Sequence, residues 1–163
     1  MAEQGVETER QLVVFDLAEE VYGVEINTVR EIIRMQAVTS VPDAPAFVEG
    51  VMNLRGSVIP VVNLRKRFNL PAGETTAATR VVVVDIDGEG IGVIVDAVTE
   101  VLRVTESSIE PASSVISTED SYYIQGIAKL SDRLLILLDI EKALGEEAGR
   151  THEAPASAIS AAA

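Results

Sequence analysis

The side chains that carry most enzymatic chemistry are scarce in this chain. It has one histidine, His152, and no cysteine. A serine nucleophile needs a base, and a histidine isolated in an Ala/Ser-rich stretch is poorly placed to serve as one. A zinc site would have to be built from carboxylates alone. Asp85-Ile-Asp87-Gly-Glu89 gathers three acids at a turn, the chemistry of a hard cation. The calcium-loop spacing, however, would end on an acid where Val95 stands. Gly88-x-Gly90-x-Gly92 opens a strand rather than a helix and does not match the dinucleotide fingerprint. Neither a phosphate loop nor a G-x-S-x-G elbow occurs. Paired carboxylates for glycoside chemistry stay open, although a sugar site wants aromatics, and these are only 4% with no Trp. The residues therefore point to binding without catalysis, and to no cofactor or metal.

Charge narrows the partners. Thirteen bases against 26 acids give −13, so phosphate backbones and anionic membrane surfaces repel the chain. Nucleic-acid binding is not expected. Within this acidity, residues 50–73 hold four bases (Arg55, Arg65, Lys66, Arg67) and no acid. Asn53-Leu-Arg-Gly56 reads as a hairpin tip presenting the planar Arg55 fork, which suits carboxylates and backbone carbonyls.

The elements that would position these residues come in two copies. Residues 11–34 moved by 69 positions fall on 80–103, and nine of the 24 pairs are identical, among them Asp16/Asp85, Gly23/Gly92, Glu31/Glu100 and Arg34/Arg103. Residues 50–68 moved by 76 fall on 126–144, matching Gly50 with Gly126 and Lys66 with Lys142. Such self-similarity marks an internal repeat, with a longer loop after Arg103 in the second copy. The units are 10–69 and 79–145, joined by a Pro/Gly/Thr-rich linker at 70–78. Residues 1–9 and 146–163 read as mobile tails. Without their six acids and one base, 20 acids and 12 bases remain, so the body carries −8. The N-terminus has no apolar run to serve as a secretory signal, and no stretch is long enough to span a membrane. The expected home is the cytoplasm.

Within a unit, Gln11–Leu17 and Glu20–Ile26 read as strands, with Gly23 as a bulge or close approach. The corresponding pair, Arg80–Asp85 and Ile91–Val95, surrounds an Asp-Gly turn. Thr28-Val-Arg-Glu31 fits a capping box, and Val29, Ile32 and Ile33 predict one face of a short helix. A second hairpin spans Gly50–Leu54 and Ser57–Val62, with Pro60 marking an edge or a bulge. Asn63 and Asp139 stand where N-caps of short helical turns belong. Two such units predict an all-β protein with short helices, two small barrels side by side. Neither has much core of its own, so one cooperative body is expected.

Gly50-Val-Met-Asn-Leu-Arg-Gly-Ser-Val-Ile-Pro-Val-Val-Asn-Leu64 resembles the signature of CheW, the bacterial chemotaxis coupling family. Val21–Ile26, Pro45-Ala-Phe47, Gly92–Asp96 and Asp132–Asp139 match it too, so the resemblance runs from about residue 10 to 145. It implies two five-stranded SH3-like barrels and no enzyme activity. It also implies a cytoplasmic adaptor, at receptor arrays on the inner membrane, that bridges methyl-accepting receptors to the histidine kinase CheA. Carried over position by position, it places a receptor helix in an apolar groove at Val13, Ile26, Val29, Ile32 and Val101. It places the kinase at Thr39, Gly50, Arg55 and Gly56, with Glu31 and Arg55 as a possible ion pair. The family also occurs as a domain within CheA and CheV, but this sequence shows no ATP-binding or receiver segment, which favours a stand-alone adaptor. Two readings of other classes remain. A carboxylate-based hydrolase or small-ligand binder needs a deep polar pocket with two buried acids. A peptide-binding SH3-like module needs an aromatic groove drawn from Phe15, Tyr22, Phe47, Phe68, Tyr122 and Tyr123.

Overall fold

A computed structural model describes residues 8–112 and 123–144. The segments 1–7 and 145–163, and with them His152 and most of both expected tails, lie outside the described residues. So does part of the longer loop after Arg103, at 113–122. The described residues form eleven strands: β1 (Glu9–Leu17), β2 (Glu20–Glu25), β3 (Val29–Arg34), β4 (Val48–Leu54), β5 (Ser57–Asn63), β6 (Arg80–Ile86), β7 (Glu89–Val95), β8 (Ala97–Thr105), β9 (Ile109–Pro111), β10 (Ile124–Lys129) and β11 (Leu134–Leu138). A one-turn helix, α1 (Leu64–Arg67), follows β5, and residues 140–144 are helical after β11. Asn63 caps α1 by accepting from the Lys66 N–H at 3.2 Å, and Asp139 accepts from the Lys142 N–H at 3.0 Å.

One sheet has the order β8-β1-β2-β11-β10-β9, the other β3-β6-β7-β5-β4. Applying the repeat (β3 to β8, β6 to β1, β7 to β2, β5 to β11, β4 to β10) turns the second order into the first, short β9 aside. The units are thus exchanged. The β1–β2 hairpin of the first joins a sheet with β8, β10 and β11, and the β6–β7 hairpin of the second lies among β3, β4 and β5. Irregularities repeat as well. The register slips between Val29 and Glu31 in one sheet and, on β8, between Val98 and Glu100 in the other. It slips again between Val48 and Gly50, and between Ile124 and Gly126. The parallel pair Val61↔Gly92 has its counterpart in Leu137↔Gly23. A Cβ at Gly23 would lie 3.0 Å from the Leu135 side chain, so this glycine permits a close approach.

Alternation along each strand sorts side chains into three cores. Met52, Ile59, Val61, Val81 and Val83 fill one barrel; Leu12, Val14, Val104, Ala128, Leu135 and Leu137 fill the other. The opposite faces of β1 and β6, with Val13, Phe15, Val82 and Val84, meet in a shared core of nineteen buried residues. Because the shared core is the largest, neither barrel keeps its apolar surface dry alone. The stacked rings Phe15, Tyr22, Phe68 and Tyr123 join that core or pack against it, with centroids 4.7–6.1 Å apart, leaving no aromatic groove among the described residues.

One expected element is different. Residues 28–33 do not form a helix: a single 3-10 turn at Ile26–Thr28 leads directly into β3. The Thr28 hydroxyl donates to the Glu25 carbonyl at 2.7 Å and caps nothing. Val29, Ile32 and Ile33 are β-branched, and a sheet neighbour, β6, is available to pair with them. Pro60 likewise lies in an interior strand. Opposite it, Val51 exchanges both backbone bonds with Thr39 at 2.8 Å, so β4 asks nothing of the missing N–H.

Candidate partner-binding surfaces

Strands β3 and β8 are the outer strands next to β6 and β1. Val101 stands opposite Val13, and Ile32 opposite Val82. Both therefore continue the face that the shared core covers, but past the end of the packing: Ile32 is 38% and Val101 49% exposed. The repeat superposes these two positions. Ile26 and Val29 pack partly against the core beside them. Val13 is only 1% exposed and serves as core, so a partner cannot reach it in this structure.

The second set of expected residues gathers at the β4 edge. Thr39 is exposed and bridges Val51, next to Gly50. Gly50 is buried with φ 148°, and a Cβ there would overlap the Thr39 carbonyl. Its role is to let backbone approach backbone. Arg55 (φ 52°) and Gly56 (φ 88°) form the two-residue β4–β5 turn at the exposed tip, and Asn53 Oδ1 accepts from the Gly56 N–H at 2.8 Å. From this tip the Arg55 fork makes two bonds to Glu31 of β3, at 2.5 and 2.6 Å. Because β3 and β4 are opposite edges of their sheet, this pair straps the barrel shut. The hydrogen bond from Arg55 holds the Glu31 carboxyl below its ordinary value against an opposing desolvation, and the Arg55 charge adds to the lowering. The other barrel is strapped in the same place by Arg133 and Glu100, at 3.0 Å.

The basic run at 50–73 is not a surface patch. Arg65 makes paired bonds to Asp96 at 2.6 and 3.0 Å, and Lys66 reaches Glu49 at 3.0 Å. Arg67 donates to the Ala143 carbonyl at 2.7 Å and lies over the Phe47 and Tyr123 rings. A cleft of about 300 Å³ beside α1 contains both Glu49 and Asp96. Burial pushes each carboxyl up, but cationic and hydrogen-bond partners outweigh it and keep both below the ordinary value. Two ion-paired carboxylates leave no proton donor for hydrolysis there, and no acid is buried among the described residues. At the 85–89 turn, Asp85 accepts from the Gly88 N–H at 2.8 Å and pairs with Arg30 at 3.1 Å. No group of acids able to hold a metal occurs among the described residues.

Sequence reasoning missed Val58 and Leu134, exposed by 65% and 60% on β5 and β11. The same repeat that superposes Ile32 on Val101 superposes these two, so comparing the copies position by position was the available signal. It also missed Asp96. This residue pairs with Arg65, accepts from the Ala18 N–H at 2.9 Å and donates its own N–H to the Asp16 carbonyl at 3.0 Å.

Comparison with known proteins fits this geometry. The CheW-like domain family model matches residues 11–148. The chemotaxis protein CheW of Treponema pallidum is 37% identical over 136 residues, covering 81% of this chain and 80% of that protein. The Bacillus subtilis CheW is 34% identical over 146 residues, covering 90% and 94%. The crystal structure of a scaffolding protein, TtCheW from Thermoanaerobacter tengcongensis, superposes with a TM-score of 0.78 at 39% identity over 86% of this chain and 97% of that one. The two exchanged sheets are accordingly the two SH3-like subdomains that the resemblance implies, and the chain belongs to the CheW-like family of non-catalytic chemotaxis scaffolding proteins.

Proposed function

We propose that this adaptor couples chemoreceptors to the histidine kinase CheA by holding both at once, in arrays at the inner membrane. A receptor helix lies along the face bearing Ile26, Val29, Ile32 and Val101. The kinase docks on the β4 edge and tip, through Thr39, Arg55 and Gly56, with Gly50 shaping that edge. The observation that carries the reading is the exposure of Ile32 and Val101 at equivalent places on the two outer strands, where the shared core continues into solvent. A helix laid in an apolar groove buries such a pair with little rearrangement. Two separate surfaces also let modest affinities add through effective concentration. Control of the kinase then requires the adaptor to bind its active and inactive arrangements unequally.

The test is capture by the purified protein of a soluble receptor cytoplasmic fragment and of the kinase. Both should bind, together. Ile32→Asp should lose the receptor and keep the kinase, and Arg55→Ala should do the reverse. Capture of neither partner by the unaltered protein overturns the reading.

A further inference from the structure

Among the described residues, seven basic side chains are each seen held by an acid, Arg30 and Arg55 among them. Arg34 and Arg80 are not. They stand directly opposite one another at the ends of β3 and β6, and neither has an acidic partner among the described residues. Like charges in facing positions destabilise a sheet, and a chain with 26 acids does not lack counter-charges. The pair is also held in place. One Arg80 nitrogen donates to the Ala77 and Thr79 carbonyls at 2.9 and 2.8 Å, and the rest of its fork has no partner among the described residues. By alternation both arginines lie on the face of Ile32 and Val82, two residues further along the strands. Arg103, which the repeat superposes on Arg34, follows Val101 in the same way and is also without an ion pair among the described residues.

We propose that Arg34 and Arg80 bind carboxylates of the helix that occupies the groove. This recognition site for an acidic flank deepens the receptor reading above and rests on it. The spacing defines the partner. Two strand residues span about 6.7 Å, close to the ~6 Å between helical positions i and i+4. A helix running along β3 therefore meets Ile32 with an apolar residue and the arginine pair with Asp or Glu one turn away. Two guanidinium forks can donate to one or two carboxylates in bidentate fashion. The uncompensated like charges of the free protein are relieved only in the complex, so they favour partners with that acid and disfavour those without it.

The experiment measures affinity for the soluble receptor cytoplasmic fragment across a salt series. Arg34→Glu should bind at least tenfold more weakly, with a flatter salt dependence. Arg34→Gln should fall between it and the unaltered protein. Exchanging the facing acid of the fragment for Lys should restore binding to Arg34→Glu. The melting temperature of Arg34→Glu should not drop, because the substitution removes a repulsion. Unchanged affinity and salt slope in Arg34→Glu and in Arg34→Glu/Arg80→Glu, with Ile32→Asp still inactive, would overturn the carboxylate site and leave the groove standing. Normal receptor binding by Ile32→Asp would instead remove the groove reading itself. Loss of kinase capture alone in Arg34→Glu would assign the pair to the other partner and also overturn the proposal.

Discussion

Gly50 and Gly56 both have positive φ, yet they should respond differently to alanine. At Gly50 the added methyl meets the Thr39 backbone, which cannot swing aside as a side chain could. Overpacking of this kind costs about 1–3 kcal/mol, and the strained φ adds to it. At Gly56 nothing lies within 4 Å, so only the left-handed conformation is paid for, at about 1–2 kcal/mol. Thermal melting should therefore rank Gly50→Ala clearly below Gly56→Ala. A loss of kinase binding is interpretable for the second variant but not for the first. Arg55→Ala belongs at this scale too. Its partner Glu31 is close to solvent, and exposed ion pairs contribute little to stability, so the melting temperature should barely move while kinase affinity falls. The hairpin tips were legible because Asp87-Gly88 and Arg55-Gly56 put glycine where the turn needs φ > 0. The Glu31–Arg55 pair was expected from the resemblance and not from spacing, since 24 residues separate the partners.

Between β7 and β8 the chain passes from one sheet to the other at Asp96. There the carboxylate ties α1 of one barrel, through Arg65, to the β1–β2 turn of the other, through the Ala18 N–H. That turn holds Ala18 and Glu19 at φ 52° and 75°, which L-residues tolerate poorly, so the bond restrains a strained segment. The folded protein holds the Asp96 carboxyl below its ordinary value. Its stabilisation is therefore complete above the unfolded value of ~4 and fades as pH falls through the lower folded value. A charge-assisted bond contributes about 1.5–3 kcal/mol; discounted for partial exposure, Asp96→Asn should lose roughly 1–2 kcal/mol at pH 7. In urea titrations the variant and the unaltered protein should converge in strong acid. A constant difference at all pH values would mean that the negative charge is not what stabilises the junction. The repeat could not reveal this element, because Asp96 superposes on Asn27 and Arg65 on Glu141. Strand β3 escaped for another reason: i, i+3, i+4 spacing and a β-branched run support opposite assignments, and the neighbour that decides between them lies fifty residues downstream.

At the scale of the molecule, the internal repeat was readable to the residue, down to the paired outward positions. The exchange of hairpins was not, because an apolar alternation says which face of a strand is buried and nothing about which strand lies beside it. The exchange makes the halves interdependent. Residues 8–69 expressed alone should lack a cooperative transition, since β1 and β2 lose β8 and β11 while β3 and β5 lose β6 and β7. Co-expressed with residues 70–145, they should be recovered as a one-to-one complex with strand-rich circular dichroism. A folded, cooperatively melting 8–69 fragment would show that the shared nineteen-residue core is dispensable.

The exchanged hairpins also bear on synthesis. As the chain leaves the ribosome, β1–β2 and β4–β5 emerge as isolated ribbons, and β3 has nothing to pair with until β6 follows. The sheet of β3 to β7 cannot close before β7, ending at Val95, has cleared the exit tunnel, and the other cannot close before β11, ending at Leu138. Through most of translation the nascent polypeptide therefore exposes bare strand edges rich in valine, the state in which molecular chaperones have the most to protect.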